Sequence, residues 1–83
     1  MSNRLLLAVE VAAAEDALTR ARDYMDAHDP DANTRITMGD VMAMAFYATA
    51  LPHLDAMDED EARRLLSNIR LLALRVMPQG EVN

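Results

Sequence analysis

Asp29, Asp31 and Asn33 stand at alternate positions of the stretch DPDANTRITMGD, residues 29–40, and Asp40 closes it. Short side-chain oxygens spaced this way along a turn are what a hard divalent cation takes as ligands. Few other residues offer chemistry. The two histidines are His28 and His53. His53 and Asp55 lie two residues apart, and on a helix such a pair does not share a face. No nucleophile, base and orienting group can be assembled from the remaining side chains. The chain has no cysteine and no lysine, so a thiolate zinc site, a Schiff base and a phosphate-loop lysine are all excluded. Its only glycines are Gly39 and Gly80, too few for a glycine-rich phosphate cradle. The expectation is a protein that is not an enzyme, with no catalytic residue and no cofactor.

Residues 29–40 resemble an EF-hand calcium loop. Asp29, Asp31 and Asn33 match that loop's first, third and fifth positions, Ile36 its hydrophobic eighth and Thr37 its ninth. The resemblance implies Asp29, Asp31, Asn33 and Asp40 as the ligand set, and a single EF-hand-like calcium-binding protein as one reading of the chain. Two positions depart from the pattern. The sixth requires glycine for a sharp turn and is Thr34, a β-branched residue. The twelfth requires a glutamate that gives two oxygens and is Asp40, one methylene shorter. Asp, Pro and Asn are also ordinary turn formers. The expectation is therefore a turn between helices with no specific metal ion.

That turn separates helical elements. Leu7, Val11, Ala14, Leu18, Ala21 and Met25 recur at spacings of four and three, which predicts a helix over about residues 3–27 with one apolar seam. Ser2 or Asn3 supplies its cap. Ala14 and Ala21 are small enough to admit a close neighbour. A second helix is expected over 37–51, opened by Thr37 and Asp40 at capping-box spacing. Its run VMAMAFYATAL is apolar on nearly every side, which predicts burial all round, either as the central element of the domain with Met44 and Phe46 inside, or against another chain. Pro52 ends or kinks it. A third helix is expected over 58–77, begun by DEDE, residues 58–61, and ended by Pro78 and Gly80. Ala62, Leu65, Ile69, Leu72 and Val76 form its inward stripe. Leu66, Leu71, Leu74 and Met77 widen that stripe beyond one face. The fold class is all-α: a small three-helix bundle in a single domain over 1–83.

The charge balance narrows the partners. Eight arginines against fourteen acids give a net charge of −6. Binding to phosphate backbones depends on cations that neutralise phosphates, so direct nucleic-acid binding is not expected. The apolar run LLLAV at residues 5–9 is too short and too closely followed by acids to span a membrane or serve as a signal core. The default location is the cytoplasm. Apolar residues make up 52% of the chain, more than three short helices readily hide, and a large exposed apolar patch marks an interface. The first expectation is accordingly a small acidic helical protein–protein interaction or regulatory module. It forms a homodimer or docks on a larger protein, with Met42, Phe46, Leu66, Leu71 and Leu74 as contact candidates. Size and charge also resemble those of acidic phage-type inhibitors, anti-CRISPR-like proteins among them. That resemblance implies a nucleic-acid-mimicking inhibitor on a basic target surface, using Glu15, Asp16, Asp23 and Asp26 as its acidic row.

Overall fold

A computed structural model describes residues 2–28 and 36–77. The protein is all-α: among the described residues every regular element is helical and there is no strand. Helix α1 spans Asn3–Leu6, α2 Ala8–Ala27, α3 Met38–Ala50 and α4 Glu59–Val76, with a 3₁₀ turn over Leu51–Ala56 between α3 and α4. The loop carrying Asp29, Asp31 and Asn33 lies outside the described residues.

The first predicted helix is divided at Leu7, whose backbone sits at φ −111°, ψ 33°. Ser2 caps α1 by accepting the Leu5 N–H at 3.1 Å. Hydrogen bonding continues through the bend, since Leu7 N–H donates to Asn3 and Val11 N–H donates to the Leu7 carbonyl, both at 2.8 Å. Neither proline nor glycine causes it. The first turn is swung toward the 3₁₀ segment and held there. The Asn3 amide donates to the carbonyls of Leu54 at 2.9 Å and Met57 at 2.7 Å, and the Arg4 N–H donates to the Asp55 carboxylate at 2.9 Å. The Arg4 N–H and the Met57 carbonyl are groups that a helix end would otherwise leave open, while the Leu54 carbonyl, which also accepts the Met57 N–H at 3.2 Å, takes a second bond. At the other end of α2 the His28 ring stacks on Tyr24, centroids 4.1 Å apart.

The caps of the two later helices follow the sequence pattern. Thr37 Oγ1 accepts the Asp40 N–H at 3.1 Å while the Asp40 carboxylate accepts the Thr37 N–H at 2.9 Å, a reciprocal pair that starts α3. Asp58 and Glu61 form the same box at the start of α4, at 2.8 and 3.4 Å. Pro52 is placed where its missing N–H costs little, in the first turn of the 3₁₀ segment, and the chain bends at His53. Leu51 and Leu54 turn inward there.

The core lies chiefly along the seam between α2 and α4, the most extensive helix–helix packing in the molecule. Leu7 at the bend, with Val11, Ala14, Leu18 and Ala21 of α2, meets Ala62, Leu65, Leu66, Ile69, Leu72, Ala73 and Val76 of α4, all buried. Ala14, Ala21 and Ala62 are completely covered, so small residues line the close approach.

Two expectations are corrected here. Helix α3 is not the central element: Asp40 and Met44 are its only fully buried residues, and Phe46 is 64% exposed. A uniformly apolar sequence shows that a helix tolerates burial, not that enough neighbours exist to bury it. Among the described residues α2, α4 and the 3₁₀ turn lie beside it, and α3 keeps a face open. The second correction is Leu66, which is 2% exposed and belongs to the core seam rather than to an accessible contact surface. On a helix where Leu65, Leu66 and Ile69 all turn inward, the buried stripe is simply wider than the five-residue pattern.

Candidate functional site

Helix α3 is built from thirteen residues, and its one charged side chain, Asp40, is completely buried. Its outward side carries Met38, Met42 and Phe46, exposed by 63, 69 and 64%. The spacing of four residues stacks these three side chains along one line of the helix. Gly39, Ala45 and Thr49 fill the rest of that side and are exposed too. The result is a helical surface with no charge and three large apolar side chains in water. Phe46 also meets Tyr47 edge to face, with ring centroids 5.7 Å apart.

The inward side of α3 fixes that orientation. One oxygen of the buried Asp40 carboxylate accepts from Thr37 N–H, and the other is paired with the Arg75 guanidinium of α4. Both oxygens are thus engaged, and the start of α3 is tied to the end of α4. Among the described residues no buried side-chain polar atom lacks a hydrogen-bond partner. The pairing of Asp40 with Arg75 crosses 35 residues of sequence and was not anticipated from it.

A second apolar surface lies on α4. Leu71 and Leu74 are 59 and 54% exposed, and Leu71 stands between two shallow grooves. The groove toward α2, about 340 Å³, has Leu66 and Leu74 in its lining with Glu10, Arg63 and Arg70 at its edges. The groove toward α3, about 380 Å³, is lined by Ala43, Tyr47, Asn68, Leu72 and Arg75 besides Leu71. Leu5 and Val9, near the chain's N-terminal bend, are exposed by 73 and 80%.

Of the sequence-derived contact candidates, Met42 and Phe46 come together on α3 and Leu71 and Leu74 on α4. The acidic candidates Glu15, Asp16, Asp23 and Asp26 are all exposed on α2. Glu15 is paired with Arg4 at 3.1 Å and Asp16 with Arg20 at 3.1 Å, and Asp26 shares a groove wall with Arg22. Arginines therefore interrupt the acidic row along its length. Among the described residues no cluster of histidine or acidic side chains is arranged to hold a metal ion. No described helix is long and apolar enough to cross a membrane. Met38 was missed as a contact residue. Its signal was present in the four-residue spacing to Met42 and Phe46, once the outward side of the helix is known.

Comparison with family models, with curated proteins and with solved structures gives no match in any of the three.

Proposed function

We propose that this protein is a helical protein–protein interaction module, and that the outward side of α3 is its principal contact surface. The observation that carries the reading is the uncharged face bearing Met38, Met42 and Phe46, each about two-thirds exposed. Isolated exposed leucines are ordinary on a soluble protein, whereas large apolar side chains gathered on one uncharged face mark an interface. Methionine suits this role because its unbranched, polarizable side chain adapts to the surface it meets. Leu71 and Leu74 offer an additional contact on α4. The partner is a second copy of the chain or a larger protein whose activity this module regulates.

The test is site-specific cross-linking in cells that express the chain. A photoreactive residue placed at position 46 should give a discrete adduct with one protein. The same residue at Asp23, on the charged side of α2, should give none. Absence of an adduct from positions 38, 42, 46 and 71 alike would defeat the reading.

A further inference from the structure

The outward side of α3 reads the same in both directions. From Met42 it runs to a small residue three positions away on either side, Gly39 and Ala45, and to a large one four positions away, Met38 and Phe46. The residues between them are symmetric in burial as well. Asp40 and Met44 are buried, and Val41 and Ala43 are half-buried. We propose that this face pairs with its own copy: two chains meet through α3, antiparallel, across a two-fold axis at Met42. The proposal rests on the interaction reading above and names its partner.

Symmetry requires a surface that complements itself after a half-turn. In the antiparallel arrangement Phe46 lies over Gly39 of the partner, Met38 lies over Ala45 of the partner, and the two Met42 side chains meet at the axis. On either side of the axis a large side chain thus faces a small one, the pattern that lets two helices interdigitate. The absence of charge matters equally. A self-pairing face brings each residue near the axis close to its own copy, so a single charge there would meet a like charge. α3 places none on this face.

Gly39 supplies an independent observation. Its backbone is not in the left-handed region, and among the described residues a Cβ added to it would touch only Thr37 Oγ1, at an ordinary 3.5 Å. Among the described residues none requires glycine there, although glycine is a poorer helix former than alanine. A neighbouring Phe46 seated over it does require it.

Three large side chains, each about two-thirds exposed, and their small neighbours offer at most roughly 500 Å² per copy, or roughly 1,000 Å² in all, the threshold for a weak biological interface. Micromolar pairing is the expectation from so small an area.

Sedimentation equilibrium of the whole chain from roughly 1 μM to 1 mM brackets that range. The expected result is a mass that rises from 9.2 kDa toward twice that value with concentration. Met42→Glu, which sets two carboxylates against each other at the axis, should stay monomeric throughout while melting as a folded helical protein. Gly39→Ala should stabilise the monomer, as removal of a helical glycine does, and yet weaken pairing at least tenfold. Asp23→Ala, on the charged side of α2 and remote from the axis, should pair as the parent does. A parent chain monomeric at every concentration overturns the proposal, and the cross-linking experiment then decides the broader reading separately. Pairing that survives Met42→Glu but is lost in Leu71→Glu overturns the choice of face. Pairing unaffected by Gly39→Ala overturns the register.

Discussion

Asp40 is the residue on which most local order converges. Its carboxylate completes the α3 capping box and pairs with Arg75, while its own N–H is held by Thr37. The guanidinium is 59% exposed, so water screens the pair and lowers its worth. The carboxylate itself is fully buried, and its loss removes two roles at once. Asp40→Ala should therefore cost about 2–3 kcal/mol in urea unfolding, against about 1 kcal/mol for Thr37→Ala, which removes only a cap acceptor. Equal losses in the two variants would show that the link to Arg75 contributes nothing. The capping role was legible from the Thr37–Asp40 spacing. The ion pair was not, because no local rule connects residue 40 to residue 75. The same holds for Asn3, read as a cap candidate, whose amide instead reaches carbonyls 51 and 54 residues away.

At the scale of elements, periodicity served α2 and α4 well and α3 poorly. The seam from Leu7 to Ala21 and the stripe from Ala62 to Val76 are buried as their spacing required, and Met25 at the seam's end is half-buried. Both sequences alternate apolar and polar positions, so the pattern itself points to a face. In α3 nearly every position is apolar, so the pattern holds no direction, and only the placement of neighbours distinguishes Met44 from Phe46. Two substitutions separate these cases. Ile69→Ala, at a site 1% exposed, should cost about 2–4 kcal/mol by leaving a cavity in the α2–α4 seam. Phe46→Ala should change the stability of the dilute chain by no more than about 0.5 kcal/mol, as surface changes do. Met44→Asp should unfold the chain, since it buries an unpaired carboxylate, whereas Phe46→Asp should leave it folded. The contact candidates divide in the same manner. Met42, Phe46, Leu71 and Leu74 were found by apolar excess alone, and Leu66 was included because excess does not say which residue turns inward.

For the molecule as a whole, four helices and a 3₁₀ turn form a flattened body of 44 × 29 × 17 Å in which α2 and α4 carry the core and α3 covers one flank. If α3 pairs with its copy, folding and association are linked, and the melting temperature should rise with protein concentration. Calorimetric scans at two concentrations a hundredfold apart check this, and coincident curves would speak against pairing at those concentrations. The arrangement of the core also governs the order in which the chain can fold. The two helices that share most of it are separated in sequence by everything between Ala27 and Glu59. Bringing them together closes a loop of roughly 30 residues, an entropic cost of about 3 kcal/mol before any contact is made. Neither helix can recover that cost against α3, which offers little buried area of its own. The expected rate-limiting event is the meeting of α2 with α4, with α3 settling onto a seam already formed. In stopped-flow kinetics, Ile69→Ala should slow refolding, while Met44→Ala should act mainly by hastening unfolding.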